Sequence, residues 1–380
     1  MRIATDEIAG DAPVRSPEKS GATRVKSLDA LRGFDMFWII GGGEVVKGLA
    51  KALDTPILNA FVPQLEHVRW QGLHCWDLIW PLFMFIVGAA IPFSIERRRA
   101  AGATSRSLFL HALWRSVVLF SIGTVTQGNL LAWDLSVFRP CYSVLHGIAA
   151  GYLIAVIVVL TVRPRGRVIV LGGFLLAYWA LLILIPVPGV GRGVLTPTGN
   201  LATFVDQALL GRFHYGENTW FLSYLGFASS VLLGVFAGEL LASARPTRTK
   251  ILLLVVAGMA CIAQGMLWSI EFPIIKLLWT SSFVLVSGGI SFLILALFYW
   301  IIDVLGYERW AFFFIVIGMN SLAVYVAKIL FDFRLIADIF VGKLLPRLGR
   351  WDDFAEAVVT LAVIWSLLFW MYRKKSFIRL

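Results

Sequence analysis

The sequence is short of charge, short of acidic side chains and short of cysteine, and each shortage narrows what the chain can be. Only 15% of its 380 residues are charged, against 59% that are hydrophobic. An ordinary soluble domain needs a far more polar surface, so that class is excluded. Asp and Glu number 23 against 34 Lys and Arg, for a net charge of +11. The basic excess sits in short clusters between apolar segments and not along one helical face. That is how membrane topology is encoded, and it speaks against a groove for nucleic acid. Cys75, Cys141 and Cys261 lie inside or at the ends of apolar segments, without CxxC spacing. Three cysteines so placed give neither a disulfide framework nor a zinc site. A Walker A loop, an HExxH helix, a nucleophile elbow and a Rossmann fingerprint are also missing from the sequence, so no metal or nucleotide motif directs the reading.

What the chain does have is length in its apolar segments. Ten are long enough to span a bilayer, near 28–48, 73–95, 107–127, 141–162, 168–186, 220–241, 251–269, 277–302, 310–331 and 353–372, at roughly 20 residues per span. The expected fold is all-α, a polytopic transmembrane helix bundle of about ten spans. Residues 1–26 are polar, carry five basic residues with Pro13, Pro17 and Gly21, and lack an apolar core. They read as a cytosolic leader, not a signal peptide, before one transmembrane domain at 27–380. With the N-terminus inside, twenty Lys and Arg fall on the cytosolic side and eleven on the other. Both termini are therefore expected in the cytosol. The outer connections 49–72, 187–219 and 332–352 are too long for simple turns. The second carries an amphipathic stretch from Leu201 to Phe213, either a surface-lying helix or a lid over substrate. The third reads as an interfacial helix.

Charges inside spans are costly, so each is paired or functional. Asp29, Arg32 and Asp35 follow one another at three-residue spacing on the first span, either as an ion-paired cluster or with Arg32 facing a phosphate-bearing ligand. Glu44 follows Gly41, Gly42 and Gly43, where a carboxylate either orients a base or amine or is a solvated helix end. His67, Trp70, His74 and Asp77 fall within about 80° of one another if the segment is helical. Such a stripe suits proton transfer near neutral pH, although an interfacial His is often structural. On a straight helix Asp77 would stand roughly 15 Å from His67, out of contact, which gives it a pocket or interhelical role. His146, Trp279, Ser281, Ser282, Asn320 and Ser321 add polarity to later spans, where small polar side chains commonly join helices. Lys328 needs a counter-charge or a wet cavity.

Several of these segments form an ordered set. SLDALRGFDMFWIIGGG, then His67-x-x-Trp70-x-Gly72-Leu73-x-x-x-Asp77-Leu78 with Pro81 and FMFIVG, then LLWTSSFVL, ALFYWIID and GMNSLAVYV, resemble the heparan-alpha-glucosaminide N-acetyltransferase family and its bacterial relatives. The match runs from about residue 24 to residue 331. LDALRG alone also occurs in the broader acyltransferase-3 membrane proteins. The resemblance implies that acetyl-CoA is taken from the cytosol as co-substrate and that the amine of a glucosamine-type sugar is acetylated across the membrane. His67 matches the family's catalytic histidine. The asparagine that precedes the glycine run in the lysosomal enzyme is replaced by Ile39 and Ile40, so that its role falls to Glu44. A Leu-Gln-Arg pattern appears as Leu145, His146 and Gly147. With a longer first outer loop, these departures point to a sugar other than heparan.

The resulting expectation places His67 at the acetyl-transfer step, with Glu44, Trp70, His74, Asp77 and His146 toward the sugar. Arg32, Trp279, Ser281, Asn320, Ser321 and Lys328 are assigned to acetyl-CoA. The setting is a bacterial inner membrane, with the lipid bilayer and a glycan as partners and a homodimer allowed. Two rivals remain: an amino-sugar transporter, and an acyltransferase-3-like O-acyltransferase of an envelope glycan.

Overall fold

The computed structural model describes residues 25–377, so the expected leader lies almost wholly outside the described residues. The chain forms α1 (Lys26–Phe37), α2 (Gly43–Leu53), α3 (Pro56–Phe61), α4 (Ile79–Ala100), α5 (Ser105–Thr126), α6 (Val144–Thr161), α7 (Pro164–Leu184) and α8 (Leu201–Leu210). It continues through α9 (Tyr224–Ala242), α10 (Thr247–Trp268), α11 (Ser281–Phe298), α12 (Ala311–Met319), α13 (Ser321–Leu330), α14 (Phe333–Val341) and α15 (Asp352–Arg373). Isolated β-bridges join Gln71 to Ile275 and Val187 to Gly191. The architecture is the all-α bundle that the hydropathy demands, because backbone groups in lipid must be satisfied within the helix.

Among the described residues eight helices are continuous, long and apolar enough to cross a membrane, and the pair α12 and α13, bent by 71°, makes a ninth when counted as one span. The tenth expected span, 28–48, is interrupted. A π-helical turn at Trp38–Gly42 separates α1 from α2, with Gly41 at φ 158° and ψ −10°. Neither half, at 12 and 11 residues, reaches the length of about 20 that a bilayer requires.

The bundle has an inner and an outer layer. In α9, 72% of the apolar window is buried, against 17% in α7 and in α10, so α9 is central and the other two face lipid. Inner helices approach backbone to backbone. A Cβ added at Gly88 of α4 would lie 2.0 Å from the Val231 carbonyl oxygen, and one at Gly234 of α9 would lie 1.9 Å from that of Phe85. Only glycine permits so close a crossing. Gly33 and Gly318 join α1 to α12 in the same way.

The connection at 187–219 is docked on the bundle. Leu201 and Ala202 of α8 share a core with Tyr178, Phe272 and Leu278. The buried Asp206 carboxylate accepts the Trp220 and Phe221 amides at 2.7 and 3.1 Å, which fixes the chain leading into α9. Burial pushes this carboxyl up to about 6, against the downward pull of those two amides. Within 332–352 the chain forms the short helix α14, with Phe333 and Ala337 buried and Leu335, Ile339 and Phe340 exposed.

Candidate active site

A cavity of about 1050 Å³ runs between α1, α4, α5, α6 and α13. Its two ends are chemically different. One is lined by His67, Arg69, Asp77, Asn218 and Lys276, the other by Asp29, Arg32, Ser94, Arg97, Arg98, His111 and Arg115. Trp80, Phe83, Val87, Ile148 and Leu322 give an apolar middle. Asp77 and Arg98 open and close α4 with its preceding turn, so at 1.5 Å per residue the ends stand about 30 Å apart.

The His67 end is made by loops. The stretch from Glu66 to His74 is not the helix that the stripe of spacings presumed. Its start follows a turn at Val62–Leu65 that contains Pro63, and Gly72 takes φ +123°, a conformation that breaks helical continuation. The Gly72 amide donates to the Ile274 carbonyl at 2.9 Å, and Gln71 bridges Ile275. The two loops are thereby pinned together.

This folding corrects the separation expected between His67 and Asp77. Because the segment doubles back, Nδ1 of His67 lies 2.8 Å from Oδ1 of Asp77, in place of the roughly 15 Å of a straight helix. The other Asp77 oxygen accepts the amides of Val68 at 3.2 Å and His74 at 3.1 Å. Lys276, 199 positions away in sequence, donates to Oδ1 at 3.1 Å and stands 3.0 Å from Nδ1 of His67. Nδ1 has one bonding position. When it donates to the carboxylate it cannot accept from the ammonium, so both groups converge on Oδ1. The His67 side chain is 58% exposed and that of Asp77 only 1%. The arrangement is an imidazole held by a buried carboxylate, with Nε2 left for chemistry in the cavity. Burial lowers the Lys276 amine from its ordinary value, and the Asp77 charge pulls it back up.

The opposite end is made by α1, α4 and α5 and is rich in guanidinium groups. Arg98 donates to His111 Nε2 at 2.7 Å, and Arg115 lies over the Tyr152 ring at 4.8 Å. Arg32 bonds Asp29 at 3.4 Å. The Nε groups of Arg98 and Arg115 are buried without a hydrogen-bond partner among the described residues. Buried donors of this strength normally find an acceptor, so these two have capacity left for one.

Of the remaining sequence candidates, Arg32 and Ser321 line the cavity and the others do not. Glu44 lies on the surface, 3.9 Å from Lys47 and 3.8 Å from Arg334. Trp70 donates to the Leu195 carbonyl at 2.8 Å and packs against the core beneath the docked connection. His74 caps the turn that carries Asp77. His146 is fully buried, accepting the Tyr142 and Ser143 amides and lying 3.1 Å from Thr124 Oγ1. Trp279 is a core residue bonded to Ser230 at 2.9 Å, and Ser281 bonds the Leu175 carbonyl at 2.8 Å. Asn320 sits at the bend between α12 and α13 and bonds the Ser376 carbonyl at 3.3 Å. The Lys328 ammonium donates to the Ile39 carbonyl at the break in the first span. Asp35, grouped by spacing with Asp29 and Arg32, is buried outside the cavity lining, and among the described residues its oxygens have no partner.

Sequence reasoning passed over Lys276, Arg97, Arg98, His111 and Arg115. Arg115 gave a signal, as an arginine within an apolar span. Lys276 gave none beyond its place in a short outer connection. Among the described residues no group of three or more His, Cys, Asp or Glu is arranged to hold a metal ion.

Comparisons with known proteins agree with the resemblance drawn from the motifs. Residues 24–189 match a family model described as "Domain of unknown function (DUF5009)". Over 98% of its length the chain is 26% identical to the Homo sapiens heparan-alpha-glucosaminide N-acetyltransferase, covering 62% of that protein. The Mus musculus enzyme of the same name is 26% identical over 94% of the chain and is covered to 61%. The chain therefore spans about three fifths of the length of these curated relatives.

Proposed function

We propose that the chain is a membrane N-acetyltransferase of the bacterial inner membrane, moving acetyl from acetyl-CoA to the amine of a glucosamine-type sugar. The observation that carries this reading is one cavity joining a carboxylate-held imidazole to a cluster of arginines. Acetyl-CoA is an elongated molecule with phosphates at one end and a thioester at the other. Arg32, Arg97, Arg98 and Arg115 supply the charge for the phosphates, and the apolar middle admits the pantetheine arm. The thioester then lies toward His67. The names of the relatives support the transferase class and the glucosaminide acceptor.

In direct transfer, the sugar nitrogen attacks the thioester carbonyl while Nε2 of His67 takes the amine proton. The C–N bond forms, the C–S bond breaks, and CoA leaves as a thiol with that proton. Asp77 holds the ring so that Nε2 faces the cavity. In the two-step alternative, Nε2 attacks first and carries the acetyl to the amine. The sidedness follows the basic residues: the arginine end is cytosolic and the His67 end periplasmic. One chain holds the whole site, so the chemistry does not call for a homodimer.

The cavity by itself would also suit a transporter, since it reaches toward both ends of the bundle. Release of free thiol from acetyl-CoA by the purified protein separates the readings. The transferase requires thiol release that depends on glucosamine, with N-acetylglucosamine as product. Uptake of the sugar into proteoliposomes without thiol release would overturn it, and release driven only by hydroxyl acceptors would redirect it to O-acylation.

A further inference from the structure

Lys276 brings a positive charge to the reacting end from the connection between α10 and α11. Its side chain is 14% exposed, and its ammonium lies 3.1 Å from an oxygen of the buried Asp77 side chain. The same oxygen receives His67 Nδ1 at 2.8 Å. The pairing of Gln71 with Ile275, and of Gly72 with Ile274 at 2.9 Å, holds the lysine there through the backbone. The charged groups lining this end of the cavity are Arg69 and Asp77 from the His67 segment and Lys276 from the facing loop. Glu66, next to His67, is exposed, and its carbonyl receives the His74 ring at 3.0 Å.

One carboxylate thus faces one ammonium and one imidazole. We propose that Lys276 is a positioning residue that cancels the Asp77 charge, so that Asp77 orients His67 without also converting it to imidazolium. The inference rests on the proposed acetyl transfer for its purpose, because a base or nucleophile must present an unprotonated Nε2. The physical reason is independent of that reading. A carboxylate beside an imidazole favours the charged ring by one to three pH units when nothing else neutralises it, and a cation on the same oxygen removes most of that bias.

The test is the titration of His67 in the full-length protein. The rate at which diethyl pyrocarbonate modifies the His67 peptide is followed against pH by mass spectrometry, with H67A as the blank. In K276Q and in K276M the midpoint moves to higher pH by about one unit or more. K276R, which keeps the charge, holds the parent midpoint, and D77N/K276Q, which lacks the carboxylate, returns toward it. The acid limb of kcat/KM moves with the midpoint, so activity on that limb falls by about fivefold to tenfold and is largely regained at alkaline pH. A midpoint unchanged in both neutral variants overturns the proposal. An active H67A would instead sink the acetyl-transfer reading, while the His67 titration in the neutral variants would still decide the role of Lys276.

Discussion

The two ends of the cavity differ in how their polar groups are satisfied. At the His67 end, Asp77 has four hydrogen-bonding partners, drawn from its own loop and from a facing one. At the arginine end, Arg98 and Arg115 each keep a buried donor without an acceptor. The first end is finished before any ligand arrives, as a reacting centre should be. The second is incomplete until an anion supplies the missing acceptors. On the proposed acetyl transfer, turnover would belong to the first end and affinity to the second.

The largest test of that division is His67→Ala. It should lower turnover by about 10² or more, the usual scale for losing an acid-base group. Acetyl-CoA binding, measured by calorimetry in detergent, should change little. A turnover within a few-fold of the parent would break the assignment. The complementary variants Arg98→Ala and Arg115→Ala should each weaken acetyl-CoA by about tenfold or more, as expected for a charge-assisted hydrogen bond. The KM for the sugar should stay near the parent value. Equal losses for both substrates would show that the ends are not independent.

A smaller effect concerns the scaffold beside the His67 end. The Asp206 carboxyl is held above its ordinary value by burial, so the unfolded chain releases this proton at lower pH than the folded one. The stability it contributes is full below the ordinary carboxylate range and is lost as pH rises through about 6. Asp206→Asn should therefore flatten the melting curve between about pH 4 and 7, by roughly 5 °C across that range. A parent melting temperature that rises over the same interval at the same slope in the variant would contradict it. The smallest effect belongs to Glu44→Gln. An exposed carboxylate with partners at 3.8 and 3.9 Å should change stability by less than about 1 kcal/mol, and turnover should not move.

Hydropathy made the helices legible, because a span announces itself by length and composition. It could not show the break at Gly41, which depends on how α1, α12 and α15 meet. The segment from Glu66 to His74 misled for a definite reason. Its spacings satisfy a helical wheel, but Pro63 precedes it, Gly72 breaks it from within and its backbone pairs with residues 274 and 275, a partner that no local window contains. The same distance in sequence hid Lys276. Trp279, Ser281 and His146 were drawn into the site by their polarity, yet in an apolar bundle a polar side chain that bonds a neighbouring helix looks the same in sequence as one that meets a ligand. Arg115 shows the converse, a costly charge within a span that meets the Tyr152 ring yet keeps a buried Nε without a partner among the described residues.

The contact between Lys328 and the Ile39 carbonyl ties α13 to the π-helical break between α1 and α2. It joins residues 289 positions apart in the chain. A charged donor from one helix thereby meets the backbone of another at the point where the latter is irregular. Arg32 lies on α1 and Tyr325 on α13, both along the cavity wall, so the contact links two of the elements that bound the passage.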